Sequence, residues 1–193
     1  MDCPEYLMNQ SREGEIICSE QIVIDDLCKA GKTAQANPEI DNTPKSKESI
    51  KALDQLILNL LEPIRLHFGS LTITHGFTSQ ALINKVPAGI ARNLDQHCAH
   101  EANSRGNRIC SRDGASADIY VRGVSAGELA DYIHHNLMFD RMYVYDRSAP
   151  LHISYSASRQ EPMTILMLEI ANQRKIPRVL RSSEVSNQLQ RLK

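Results

Sequence analysis

The sequence predicts an α+β fold, a small antiparallel sheet packed with helices. Three observations carry that expectation. The segment Lys45 to Leu66 repeats apolar residues at helical spacing. Two short segments, SLTITHGF and ASADIYVRG, have the alternation or the apolar run of strands. A second helical stretch precedes two strand-like pieces, MYVYD and APLHISYS, that read as a hairpin. The order helix, strand, loop, strand, helix, hairpin is not the regular alternation that builds a parallel sheet.

Taken in order, Met1 to about Glu20 has little periodicity and reads as an arm. IVIDDLCKAG follows as a turn or two of helix, and QANPEIDNTPKSKES, rich in Pro, Asn, Ser and charge, as a loop. Within Lys45 to Leu66, the residues Ile50, Leu53, Leu56, Ile57, Leu60, Leu61 and Ile64 form one apolar stripe, and Pro63 is expected to kink its last turns. Leu71 and Ile73 alternate with Thr72 and Thr74. A long connection from Thr78 to about Leu94, containing VPAG, leads into DQHCAHEANSRGNRIC, whose His, Asn, Arg and Gly content is that of a functional loop. The strand ASADIYVRG ends near Gly123. Ser125 and Glu128 then form a capping box for a helix over Ala126 to Leu137. In the tail, Ile165, Leu166, Leu168 and Ile170 form a helical apolar set, with a second short helix after Arg181. The expected organisation is an N-terminal arm and loop (1–44), a central domain (45–156) and a C-terminal helical extension (157–193).

The 193 residues carry 22 Lys and Arg against 23 Asp and Glu, a formal net charge of -1, which argues against nucleic acid as the primary partner and against a polybasic membrane binder. Apolar residues make up 41% and charged residues 23%, so the chain has material for a core. No stretch approaches the roughly 20 apolar residues of a membrane span. The opening MDCPEYLMNQSREGE lacks the basic and apolar regions of a secretory signal. The 5 cysteines are odd in number and include no CxxC pair, so reduced thiols and a cytoplasmic location are expected, and a zinc site built on paired cysteines is not.

His97 in DQHCAH, Asp118 in GASADI and His152 in PLHISY are the candidate metal ligands. Two imidazoles and a carboxylate, with a fourth position for water, would form a catalytic zinc shell; the ion would lower the pKa of its water to about 7 and polarise a carbonyl. Each residue has a plainer reading beside this one. Asp118 caps a turn or pairs with Arg122, and His152 is a satisfied core histidine. His75 is a loop residue near the pocket. Cys98 and Cys110 are soft ligands or buried thiols. NSRGN (Asn103 to Asn107) is an anion-binding loop or an ordinary polar turn, and FDR (Phe139 to Arg141) holds an internal salt bridge. The locally basic NQRKIPRVLRSSE is a solvated face or a docking surface for a partner protein or nucleic acid.

The segment from about Lys45 to Tyr155 resembles the zinc D-Ala-D-Ala carboxypeptidase family, the hedgehog-type metallopeptidase fold, in its small single-domain branch. LLEPIRLHFGSLTITHGFTS resembles an LLxPLRxxFGxPIxITSGYRS pattern. DQH and GASADI look like the two halves of an SxHxxGxAxD metal motif, and PLHISY resembles a terminal WxHxS motif. The resemblance implies Asp118 and His152 as zinc ligands. For the first histidine, a gapped reading gives His97, a gapless one places Ser111 there, and His100 is nearby. The family's catalytic Glu before the last His has no counterpart, because no Glu occurs between Glu128 and His152; Asp146 and then Asp140 are the nearest candidates for the base. Thr78 stands where the family has the Arg of SGYRS. Arg105, Arg112 or Arg141, with Asn107 of the NSRGN loop, would then hold a substrate carboxylate or an oxyanion. The resemblance thus implies a zinc metallopeptidase cutting an amide in a small peptide. The alternative is the same fold with an eroded site, serving as a cytosolic module that binds a small anionic ligand or a protein, in a phage or defence setting.

Overall fold

Alternation of small and branched apolar residues with polar ones makes the central strands two-faced. The computed structural model describes residues 12–87, 92–158, 161–170 and 174–193. Among these, seven strands form one sheet: β1 (Ile16–Cys18), β2 (Leu71–His75), β3 (Ala115–Tyr120), β4 (Arg141–Val144), β5 (Leu151–Tyr155), β6 (Met163–Ile170) and β7 (Arg174–Val179). Their order is β1-β2-β3-β5-β4-β6-β7, and every neighbouring pair is antiparallel except β4 with β6. The α+β expectation holds, with a larger sheet than the sequence suggested. Residues 1–11 of the expected arm, and Ala88 and Gly89 of VPAG, lie outside the described residues.

One face of the sheet is the core. Ala115, Ala117 and Ile119 of β3, Leu151 and Ile153 of β5, and Met142 and Val144 of β4 are all buried there. They pack with α3 (Lys47–Leu56) and α5 (Ala126–Asn136). The side chain of Ser46 starts α3 by accepting the Ser49 N–H at 2.9 Å, and Leu53, Leu56, Leu60, Leu61 and Ile64 are fully buried, while Ile50 of the expected stripe is 40% exposed. The helix does not break before Pro63. It widens into a π-helical segment, Ile57–Leu61, and resumes as α4 (Glu62–Phe68). Proline lacks an N–H and its ring presses on the carbonyl four residues back, and the wider turn makes room for it. On the opposite face of the sheet lie Ser116, Asp118, His152, Ser154, Arg141 and Tyr143, whose side chains alternate with the core set.

Two expectations are corrected. The arm contains a strand: β1 pairs with β2, followed by the short helix α1 (Ile24–Lys29), which was expected, and by α2 (Lys32–Ala36). The tail segment read as helix is strand β6, in parallel register with β4 from Arg141↔Met163 to Val144↔Leu166 and antiparallel to β7. A short apolar run fits either period, and here the exposed edge of β4 decided the matter, because its main-chain groups need partners. Residues 163–179 therefore extend the central sheet. The helix after Arg181 is α6 (Ser182–Gln190), which packs on α5 through buried Val185 and Leu189. Among the described residues no helix is long and apolar enough to cross a membrane.

Glu62 ties the segment that leads into α1 to the helical layer. Its Oε1 accepts the Ile22 N–H at 2.5 Å and its Oε2 meets Arg65 at 2.7 Å, with the two side chains only 14% and 15% exposed. The Arg65 guanidinium, opposed by burial and helped by the Ile22 bond, holds the Glu62 carboxyl below its ordinary range. A carboxylate with a depressed pKa stabilises the fold above its unfolded value, and that contribution fades as pH falls through the folded value. Glu62→Gln is therefore expected to cost roughly 1–3 kcal/mol near neutral pH. Urea titrations of both proteins should show the difference shrinking in acid; an equal gap at every pH would contradict the assignment.

Candidate metal centre

Asp118 and His152 are brought together by strand register. They are direct partners across β3 and β5, and His152 in turn faces Tyr143 of β4. On the other side of β3, an irregularity in β2 between Ile73 and His75 places His75 opposite Asp118. His75 thus ends β2 and is not in a loop. Thr74 donates its hydroxyl to the Asp118 carbonyl at 3.2 Å, which secures the irregular step.

His97 arrives from a different part of the chain, the 3₁₀ turn Gln96–Cys98. Asp95 caps that turn, its Oδ1 accepting the His97 N–H at 3.0 Å. The Thr78 N–H donates to the His97 carbonyl at 3.0 Å, and the His97 ring contacts the Gly76 carbonyl through Nδ1 at 2.7 Å. A carbonyl only accepts, so Nδ1 carries a proton and Nε2 is the nitrogen turned toward the cluster. Gly76 can hold this place because it has no side chain; a Cβ there would come within 2.2 Å of the Leu27 carbonyl oxygen.

The three side chains meet at one point. Asp118 Oδ1 is 2.8 Å from His152 Nδ1 and 3.3 Å from His97 Nε2, and one ligand atom from each residue lies within 4.8 Å of the other two. The side chains of His97 and His152 are 3% and 9% exposed, whereas that of Asp118 is 32% exposed, so the cluster has one open side. The His75 ring lies 4.3 Å from that of His97, and the Tyr143 ring 5.3 Å from that of His152, both edge-on.

The electrostatics favour positive charge at this point. Burial by itself would keep His97 neutral, but the Asp118 and Asp95 carboxylates outweigh it and raise its pKa to about 9. For Asp118, burial pushes the pKa up, and the charge of His97 with the hydrogen bonds from both histidines overrides it, leaving the carboxyl well below the usual range. His75 is pushed down to about 4, first by burial and then by the charge on His97. Tyr145 is pushed up to about 12 by burial and by the negative Asp118. A proton or a metal ion answers the same potential. A pair of imidazole nitrogens and one carboxylate suit a divalent metal of zinc type, and the Gly76 carbonyl on the remote nitrogen of His97 is the outer support such ligands need. Among the described residues, this is the group of metal-type donors that can hold an ion.

The other expected site residues are distributed as follows. His100 points elsewhere, its Nε2 accepting the Gly114 N–H at 3.2 Å, and Ser111 donates its hydroxyl to the Asn93 carbonyl at 2.8 Å. Of His97, His100 and Ser111, it is His97 that lies beside Asp118 and His152. Cys98 and Cys110 are fully buried thiols, and burial raises the pKa of Cys110. Asp118 faces histidines, not Arg122. NSRGN is an exposed turn closed on itself: Asn103 Oδ1 accepts the N–H groups of Arg105 at 2.9 Å and Asn107 at 3.1 Å, so those donors are not directed at a ligand. Asp146 sits in the exposed turn between β4 and β5, its Oδ1 accepting from Ser148 N–H, Ser148 Oγ and Ala149 N–H. Asp140 is 2% exposed and its Oδ2 accepts from Gln96 at 2.9 Å, Arg141 at 2.9 Å and Ser154 at 3.3 Å, which includes the FDR salt bridge. Arg112 and Arg141 line one cleft with Asp140, and Arg112 Nη1 reaches the Tyr143 hydroxyl at 3.4 Å. Sequence reasoning missed Tyr143 and Tyr145; the hairpin register, once drawn, puts Tyr143 beside His152. It also passed over Asp95, which it used only as a position in the DQH motif.

Compared with known protein families, with curated proteins and with solved structures, the chain has no match in any of the three.

Gly76→Ala is expected to displace the carbonyl that orients His97 and so to lower affinity for a divalent metal by about 10–100-fold. Metal titration beside circular dichroism would test this; a folded variant with wild-type affinity would show that the Gly76 carbonyl is not what sets the ring.

Proposed function

We propose that the protein is a zinc-dependent, metallopeptidase-like hydrolase of the D-Ala-D-Ala type, acting on an amide of a small peptide in the cytoplasm. The observation that carries this reading is the convergence of His97, Asp118 and His152, from three separate stretches of chain, on one partly open point. Zinc bound there would supply an acidified water and an electrophile for the carbonyl. The chain's own contribution is to hold His97 Nε2 and His152 Nδ1 against Asp118, with the Gly76 carbonyl keeping the remote His97 nitrogen protonated. Arg112, beside Tyr143, is the cation best placed to grip a substrate carboxylate next to His152. For the base, Asp140 is favoured over Asp146, because it shares a cleft with Arg112 and Arg141 while Asp146 organises an exposed turn.

A second reading has its own support. Asp140 Oδ2 and Asp146 Oδ1 each already accept three hydrogen bonds, an arrangement that suits structural carboxylates as well as a proton acceptor. On this reading the same centre binds metal and ligand without turnover.

Wild-type protein purified without chelators is expected to hold one zinc per chain, and His152→Ala and Asp118→Asn to lose it. Elemental analysis checks this, and a metal-free wild type would end the hydrolase reading. Hydrolysis of D-Ala-D-Ala peptides by zinc-loaded protein, reduced about 100-fold or more in Asp140→Asn, would assign the base. Full zinc occupancy with no hydrolysis would instead select the binding module.

A further inference from the structure

The main chain that leaves β2 and passes His97 is gripped by a residue from far upstream. Consecutive peptide groups between Gly76 and Ser79 make this passage, and Phe77, Thr78 and Ser79 are all buried. Buried main-chain groups have to be paired inside the fold. The first group offers the Gly76 carbonyl to the His97 ring at 2.7 Å and the Phe77 N–H to the Leu27 carbonyl at 2.9 Å. The second gives the Thr78 N–H to the His97 carbonyl at 3.0 Å. The place of His97 is therefore set by both groups, by one at its ring and by the other at its backbone.

Asn42 holds the other side of this passage. Its Nδ2 donates to the Cys28 carbonyl at 2.7 Å and to the Phe77 carbonyl at 2.8 Å, and its Oδ1 accepts the Ser79 N–H at 2.7 Å. The Phe77 carbonyl and the Thr78 N–H belong to one peptide group, so that group is clamped between Asn42 and His97. Both amide hydrogens meet carbonyls, which only accept, and the amide oxygen meets an N–H, so a single orientation of the side chain satisfies all three. An aspartate there would keep the acceptor and lose both donors. The bond to Cys28 anchors the clamp on α1. A few residues further on, the Lys45 and Ser46 N–H groups donate to Oε1 of buried Glu101 at 2.9 and 3.2 Å. The Glu101 N–H in turn donates to the Cys98 carbonyl at 2.9 Å, so the same stretch of chain also secures the turn that carries His97.

We infer that Asn42 is a positioning residue for His97 in the metal centre, fixing through the Gly76–Ser79 main chain the direction in which the ring presents Nε2. The inference rests on the metal centre of the proposed function and adds to it a residue outside the ligand set. All three hydrogen bonds of Asn42 go to main-chain atoms, so its effect reaches an ion through His97.

Zinc titration of the full chain against a chromophoric chelator, beside the visible spectrum of the cobalt-substituted protein, tests this role. Asn42→Ala is expected to bind zinc about tenfold or more weakly and to change the cobalt spectrum, and Asn42→Asp to do the same. Asn37→Ala is the control: it removes one amide bond to a main-chain carbonyl, that of Thr33 at 2.8 Å, and should leave both readouts unchanged. A folded Asn42 variant with wild-type affinity and spectrum would overturn the inference. So would an equal loss in Asn37→Ala, or failure of both Asn42 variants to fold. In metal-free protein, NMR of the His97 Nδ1 proton that is bonded to Gly76 gives a readout without an ion. That signal should persist in Asn37→Ala and be lost or shifted in the Asn42 variants. A wild type that holds no zinc but shows this dependence would end the hydrolase reading and leave Asn42 as the residue that sets His97. Unchanged zinc binding in folded Asn42 variants would end the positioning role and leave the hydrolase reading. The two therefore fail separately.

Discussion

A carboxylate on a central strand needs positive charge beside it, and the architecture around Asp118 answers that need. Taking an ionised carboxylate out of water is expensive unless it is paired and hydrogen-bonded. Asp118 is answered by His152 from the next strand and by His97 from the loop that carries the 3₁₀ turn Gln96–Cys98. That loop is held by main-chain bonds on both sides, from Gly76 to Leu27 through the adjoining Phe77 N–H and from Thr78 to His97. The irregular step in β2, the glycine at its end and the cap by Asp95 all serve one geometry. Such a cluster has two cationic states open to it, a shared proton or a metal, and the open side at Asp118 is what gives an ion and its further ligands access.

The sheet separates the tasks of folding and chemistry. Its core face is made of small and branched apolar residues under α3 and α5, and it is buried. Its other face carries, in successive rows, Ser116, Ser154 and Arg141, then Asp118, His152 and Tyr143, then Tyr120 with Pro150 near it. The His97, Asp118 and His152 cluster thus lies between two polar clefts of different lining. The one toward Asp140 is lined by Arg112, Arg141, Asp113 and Asp140, and the one toward Tyr120 by Arg12, Arg122, Arg147 and Glu15.

Much of the fold was legible along the chain because it depends on local signals. The α3 stripe, the Ser125 cap, the strands holding Asp118 and His152, and the β4–β5 hairpin follow from periodicity and capping, which need no knowledge of distant residues. Segment 163–170 was not legible in the same way. Its apolar run satisfies both helical and extended spacing, and only the open edge of β4 selects the strand.

The same division governs the site. Residue types and motif order in the sequence determined that Asp118 and His152 were candidate ligands, and strand alternation placed each on a definable face. Which histidine completes the group, His97 or His100, depended on a glycine carbonyl 21 residues away and on the backbone path that brings it there. That the main-chain donors of Arg105 and Asn107 turn inward to Asn103 was likewise decided by the folded loop. Local propensity acts over a few residues, whereas the meeting of side chains distant in the chain is set by sheet register and loop closure, which exist only once the whole chain has folded.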